Sequence, residues 1–363
     1  MKEDIYAKLL DVYKSGFYGG SLGDLEMFKE ALTEFFTPEE AELASQLLFT
    51  PETIGDLCQR IGRREEEVSA FLESMARKGS VQVGEVQGQK TYHLLEWVSM
   101  MENFFRRTDK TDSFVERMIK WWEDLKLRTD LPELKPTPLR TIPVEAEIEK
   151  AGGVLPYESV TQVIMKQDYI AVAECYCRKP KHLIGQGCGN PLEVCLAFGD
   201  YGRYLVNYEF GRRLTHEEAL ALIRDCEERG LVHSADNILD IGWLCNCCGC
   251  CCAALAANVR LNRTDRTMSG YIVSFDPERC AEAGVCGVCV DRCQVKAIVI
   301  EKEGDLPTID YEKCIGCGSC SFKCPGDALT MKRREPPIVP AEDLSKLYAA
   351  IYQHIAEQLS AQQ

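Results

Sequence analysis

All but one of the chain's 20 cysteines lie between Cys175 and Cys324, and six of them crowd into the eight residues CNCCGCCC, Cys245 to Cys252. Thiols at this density must hold either one another or metal, and the choice turns on the redox compartment. The N-terminus, MKEDIYAKLLDVYKSGFYGG, opens with mixed charge and lacks the apolar core of a signal peptide. No apolar run long enough to span a bilayer occurs, so no membrane span is expected. The chain is therefore expected to be cytoplasmic. Thiols stay reduced there, which points to metal and away from disulfides.

The clearest pattern is an internal repeat over residues 271–331. YIVSFDPERCAEAGVCGVCVDRCQVKAIVIE is followed by PTIDYEKCIGCGSCSFKCPGDALTMK. Each half reads as a short strand, a cysteine run and a second short strand. The second run, Cys314-x2-Cys317-x2-Cys320-x3-Cys324-Pro325, has the bacterial [4Fe–4S] spacing. Three closely spaced thiolates wrap one face of a cube, and the fourth cysteine, before proline, turns away from it. Structural zinc sites use paired cysteines or cysteine with histidine, which this spacing does not match.

This unit resembles the two-cluster bacterial-type ferredoxins. The resemblance implies two [4Fe–4S] clusters with exchanged fourth ligands. One would use Cys280, Cys286, Cys289 and Cys324, and the other Cys314, Cys317, Cys320 and Cys293. Two departures stand out. The first run has five residues, AEAGV, between Cys280 and Cys286, and Gln294 replaces the usual proline after Cys293. The looped cluster is expected to be more exposed.

Ten further cysteines need an account. Cys175, Cys177, Cys188 and Cys195 form one group, and Cys245, Cys247, Cys248, Cys250, Cys251 and Cys252 form the other. Side chains of adjacent residues diverge, so neither Cys247 with Cys248 nor any adjacent pair within Cys250, Cys251 and Cys252 is expected to share one cube. If CCAALAANVRL is helical from its start, Cys248, Cys251 and Cys252 share a face, with positions three and four apart as neighbours. The stretch is expected to lie between two clusters, each completed from residues 175–195. One central cluster with surplus cysteines in the core, and zinc, are the alternatives. Cys-Cys-Gly is similar to part of the non-cubane cluster motif of heterodisulfide-reductase subunits. The C-x-C-R and GC-x-x-P-x-E-x-C-L stretches resemble uncharacterised ferredoxin-domain proteins of anaerobes, which implies family membership and anaerobic metabolism but no activity. Arg178 and His182 are the candidate cofactor-tuning residues, through charge and hydrogen bonding. Cys58 and Cys226 are expected in apolar cores. GQGCGN, residues 185–190, reads as a loop presenting Cys188, because it lacks the helix and acidic residue of a dinucleotide fingerprint.

The first half reads differently. TPEEAELASQLL starts with Thr37 as N-cap and Pro38 at the first helical position. Two more helices and the hairpin SVQVGEVQGQKTYHLL complete a pattern that resembles a winged-helix domain at about 38–95. Its third helix would present Glu65, Glu66 and Glu67 to DNA phosphates, which is repulsive. Trp97, Trp121 and Trp122 are expected in the core.

The fold class expected is α+β and multidomain. A helical N-terminal region, 1–127, contains the winged helix. A Pro-rich linker, 128–146, leads to a mainly helical Cys-rich iron–sulfur domain, 147–268. A βαβ pseudo-repeat ferredoxin domain, 269–335, and a C-terminal helix, 336–363, follow. The net charge of −15 argues against general affinity for nucleic acid or anionic membrane. It favours redox protein partners with a basic docking surface, with DNA the weaker alternative. No nucleophile–base constellation marks a catalytic residue. The function expected is multi-cluster electron transfer, with two [4Fe–4S] clusters in the ferredoxin unit and one or two more in the central domain. A redox-sensing regulator acting through the winged helix, and an oxidoreductase working at an irregular central cluster, are the alternatives.

Overall fold

The computed structural model describes residues 4–16, 22–126, 128 and 132–361. The remaining residues, which include parts of the expected N-terminal region, linker and tail helix, lie outside the described residues.

The N-terminal part is built from α1 (Ile5–Ser15), α2 (Leu25–Phe35), α3 (Pro38–Ala44), α4 (Ile54–Ile61) and α5 (Glu65–Lys78). Thr37 starts α3 as a capping box: its hydroxyl accepts from the Glu40 N–H at 3.2 Å, and the Glu40 carboxylate accepts from the Thr37 N–H at 2.8 Å. Strands β1 (Glu52–Thr53), β2 (Val81–Val86) and β3 (Gln89–Leu94) form an antiparallel sheet in the order β1-β3-β2. Gln87 and Gly88 turn the β2–β3 hairpin with φ of 53° and 78°, the left-handed backbone a two-residue hairpin turn needs. Helices α6 (Trp97–Arg107) and α7 (Ser113–Lys126) close this part. Trp97, Trp121 and Trp122 are all buried here, with ring centroids 5.6 and 6.2 Å from Trp97.

The central region was expected to be mainly helical, and the structure corrects this. Its frame is a seven-stranded sheet in the order β10-β4-β8-β9-β6-β5-β7. The strands are β4 (Leu139–Ile142), β5 (Ile170–Glu174), β6 (Glu193–Phe198), β7 (Gly211–Leu214), β8 (Val232–Asp236), β9 (Trp243–Cys247) and β10 (Thr267–Met268). Only the β10–β4 pair is parallel. Residues 139–142, within the Pro-rich stretch, thus pair inside the sheet with β8. One face, carrying Val172, Leu196 and Leu244, packs on the helix His216–Glu228 and on Leu347 and Ile351 of the helix Leu344–Ala361. The other, carrying Ala173 and Ala197, packs on Tyr204 and Leu205 of the helix Gly199–Asn207 and on Ala76 of α5. Strands covered on both faces lose the apolar–polar alternation that marks a half-buried strand. That is why EVCLAF and VHSAD escape recognition.

The C-terminal cysteine unit has two small antiparallel pairs. β11 (Tyr271–Phe275) pairs with β14 (Leu329–Arg333), and β12 (Ile298–Val299) pairs with β13 (Thr308–Ile309). Short helices Pro277–Glu282, Val288–Arg292 and Ser319–Phe322 carry the cysteine runs between them. The unit sits directly on the central sheet. The Val144 N–H donates to the Cys317 carbonyl at 3.0 Å, and Arg292 donates to the Glu227 and Glu228 carbonyls at 2.6 and 2.9 Å. Among the described residues, no helix is long and apolar enough to cross a membrane.

Candidate metal centre

The ferredoxin-like unit gathers its eight thiols in two places. Cys280, Cys286, Cys289 and Cys324 line one cavity, with Ile300 and Leu329 among its apolar walls. The five-residue spacing between Cys280 and Cys286 does not remove Cys286 from this set. Gly284, with φ of 74°, turns the chain after the helix Pro277–Glu282 so that Cys286 returns to the cavity while remaining exposed. Cys293, Cys314, Cys317 and Cys320 form the second set. Burial pushes the Cys317 thiol up to about 12, with Cys293 and Cys314 as thiol neighbours. Burial also drives Cys320 well up, and Cys289 in the first set to about 11. The Cys293 sulfur accepts the Ala297 N–H at 3.1 Å. Such buried, donor-faced thiols ionise when a metal takes the proton's place. The donor set suits iron–sulfur clusters: four thiols per site, apolar walls, and backbone N–H groups near sulfur.

CNCCGCCC divides by local geometry. Cys245 and Cys247 sit on β9, and side chains two apart on a strand share a face. Both therefore face the side of the sheet that carries Cys195 on β6, while Asn246 points the other way. The buried Asn246 donates to the Val194 carbonyl at 2.7 Å and pairs with the His233 ring at 2.6 Å. β5 ends at Glu174 and delivers Cys175 and Cys177 to the same place. Cys252 then returns to it as the N-cap residue of the helix Ala253–Leu261. Six thiols thus touch in succession: Cys175, Cys195, Cys245, Cys247, Cys252 and Cys177.

The remaining four form a separate, tighter group. Cys188, Cys248, Cys250 and Cys251 hold their sulfurs within 4.8 Å of one another. The expected face of Cys248, Cys251 and Cys252 does not form, because the helix starts only at Ala253 and Cys252 belongs to the other array. Cys247 and Cys248 do diverge, to opposite sites. Cys250 and Cys251, though adjacent, converge with sulfurs 3.7 Å apart, since the turn that carries them is not helical.

Arg178 lies between these features, with no exposed surface. Its Nη2 donates to the Asn246 carbonyl at 3.1 Å and to the Cys248 sulfur at 3.5 Å, and its Nη1 donates to the Pro191 carbonyl. Burial alone would lower its basicity, but the Cys175 and Cys248 thiols beside it hold it well above the usual value. His182 is exposed, with its ring against Gly187 in the loop that carries Cys188. Cys226 is fully buried among apolar side chains, where burial pushes its thiol up to about 12, and Cys58 packs at the edge of the N-terminal core.

Sequence reasoning missed three supports of the site. Asn190 Nδ2 lies 3.6 Å from the Cys188 sulfur. Tyr176, between Cys175 and Cys177, is gripped by Trp122, with ring centroids 6.0 Å apart, and by Arg106, whose guanidinium is 5.5 Å from its ring. Gln294 accepts the Gly249 N–H at 2.8 Å. The missing proline after Cys293 was the one signal pointing to Gln294. Nothing in residue spacing marked the other two.

Residues 307–330 match the family of 4Fe-4S binding domains. A segment of 46 residues, 13% of this chain, is 44% identical to an uncharacterized ferredoxin of Methanocaldococcus jannaschii. The match covers 29% of that relative's length. No solved structure matches the chain significantly. The chain therefore carries, at residues 307–330, a 4Fe-4S binding domain like those of ferredoxins.

Proposed function

We propose that this protein is a multi-cluster iron–sulfur electron carrier that serves a redox protein partner. Two [4Fe–4S] clusters are assigned to Cys280, Cys286, Cys289 and Cys324, and to Cys293, Cys314, Cys317 and Cys320. A further iron–sulfur cluster is assigned to the array of Cys175, Cys177, Cys195, Cys245, Cys247 and Cys252. Such clusters supply one-electron chemistry over a wide range of potentials. The observation that carries this reading is the contact between Gly249 and Gln294, which seats the central cysteine stretch on the residue next to Cys293. The thiol sites thereby form one continuous body.

The N-terminal part is read as a winged helix used for packing. Its third helix, α5, is engaged along its C-terminal half: Tyr208 donates to Glu73 at 2.9 Å and Tyr204 to the Ala76 carbonyl at 3.2 Å. Glu65, Glu66 and Glu67 stay exposed at its start. These contacts favour the carrier over a regulator acting on DNA.

The net charge of −15 suits a basic partner. The test is stopped-flow oxidation of the reduced, full-length chain by cytochrome c, used as a basic acceptor, at increasing salt. The expected rate falls as salt rises. A failure to pass electrons at any salt would refute the carrier, and a salt-independent rate would refute the basic docking surface.

A further inference from the structure

The two central thiol groups differ in size, and the difference is chemical. In the tighter group, the Cys188 and Cys248 sulfurs are 3.9 Å apart, Cys250 and Cys251 3.7 Å, and Cys188 and Cys251 4.0 Å. Four thiolates around one tetrahedral zinc, with bonds of about 2.3 Å, have sulfurs roughly 3.8 Å apart. A cubane holds its four thiolates on four separate iron corners, so its ligand sulfurs stand much farther from one another. The same molecule supplies the comparison. Among the described residues, Cys188, Cys248, Cys250 and Cys251 are the only group of three or more metal-ligating side chains drawn within 4.8 Å. Neither four-thiol set of the ferredoxin-like unit is that compact, nor is the six-thiol array.

We infer that Cys188, Cys248, Cys250 and Cys251 bind a single tetrahedral metal ion of the thiophilic divalent class to which zinc belongs, not an iron–sulfur cube. Binding forms four metal–sulfur bonds and releases the thiol protons to solvent. The surroundings suit a tetrathiolate site that carries net negative charge. Arg178 donates to the Cys248 sulfur at 3.5 Å, and the Asn190 amide lies 3.6 Å from the Cys188 sulfur. N–H groups and a cation at this range stabilise thiolate ligands. The exposed Cys250 gives an ion a route in from solvent. Three ligands, Cys248, Cys250 and Cys251, come from the turn that follows β9, and one, Cys188, comes from the distant loop 185–190. A bound ion would therefore lock that loop onto the sheet, as structural zinc does elsewhere.

The experiment is elemental analysis of the full-length chain, purified anaerobically and reconstituted with iron, sulfide and zinc, beside Cys188→Ser and Cys250→Ser. Zinc, iron and acid-labile sulfide are counted per chain, and the EPR spectrum of the reduced protein is recorded. The expected result is about one zinc per chain, lost in both variants, with iron, sulfide and EPR signals unchanged. Loss of one iron atom without sulfide would support the same mononuclear site. Loss of about four iron and four sulfide together would overturn it in favour of a cube, as would metal content that neither variant alters. Cys250 is exposed, so its variant answers the question even if Cys188→Ser folds poorly. The unchanged EPR signals separate failure here from failure of the electron-carrier reading.

Discussion

The Gly249 N–H donates to the Gln294 side-chain carbonyl at 2.8 Å, and a Cβ placed on Gly249 would lie 1.9 Å from the Gln294 backbone carbonyl. The central cysteine stretch and the turn after Cys293 thus touch backbone to backbone. Only glycine fits, because the neighbour is main chain and cannot swing aside. The expected effect of Gly249→Ala is a forced separation of the two cysteine units, with a stability loss of roughly 1–3 kcal/mol. Gln294→Ala, which deletes only the hydrogen bond, should cost about 1 kcal/mol. Denaturant midpoints of the anaerobic, metal-loaded variants check this, and an alanine at 249 that behaves like wild type would show that the contact is slack.

Arg178 is the next point of leverage. It is fully buried and serves the Pro191 and Asn246 carbonyls and the Cys248 sulfur together. Arg178→Met leaves those acceptors and nearby thiols without their cation, at a cost of roughly 3 kcal/mol. Arg178→Lys keeps the charge but not the fork that reaches several acceptors, so an intermediate loss is expected. Urea unfolding of the loaded proteins tests the order. Equal midpoints for all three would contradict it.

The Cys175–Cys177 turn is held from the N-terminal side. Trp122 packs edge-on to Tyr176, and Arg106 donates to the Glu174 carbonyl at 3.3 Å and to the Tyr201 hydroxyl at 3.1 Å. Trp122→Ala removes packing worth roughly 3–5 kcal/mol, and it should loosen the six-thiol array before it affects the ferredoxin-like unit. Iron retention during timed exposure to a chelator reads this out. Uniform loss from every site would contradict it.

Asp236 supplies a pH dependence away from the thiols. Burial pushes its carboxyl from 3.8 up to about 7, opposed by a hydrogen bond from Trp243. Between those values the unfolded chain releases this proton and the folded chain keeps it. The group's contribution is therefore full below 3.8 and is lost as pH rises toward 7. Asp236→Asn has no proton to lose, so its melting temperature should gain on wild type from pH 4 to 7 and then level off. A difference that does not vary with pH would contradict the assignment.

Sequence pattern is informative where the spacing is local. The ferredoxin resemblance implies two sets of four cysteines, and Cys280, Cys286, Cys289 and Cys324 line one cavity. Thr37 as N-cap and Pro38 at the first helical position likewise mark the start of α3. Sequence pattern is uninformative where burial erases it. The strands EVCLAF and VHSAD are covered on both faces and show no alternation, so the seven-stranded sheet stayed hidden. The division of CNCCGCCC was half legible. Divergence of adjacent side chains separates Cys247 from Cys248, but the same rule misplaces Cys250 and Cys251, which converge because a turn, not a helix or strand, carries them. Contacts such as Gly249 with Gln294 join residues 45 positions apart, and no local pattern announces them.

The central claim is that this chain holds iron–sulfur clusters in both its ferredoxin-like unit and its six-thiol central array. Iron and acid-labile sulfide counts on the anaerobically reconstituted full-length protein, with EPR of the dithionite-reduced state, test it most directly. Three cubane-sized clusters predict about twelve iron and twelve sulfide per chain, with spin–spin broadening between neighbouring reduced clusters. A count of about eight or fewer, with Cys175→Ser and Cys245→Ser leaving it unchanged, would contradict the account.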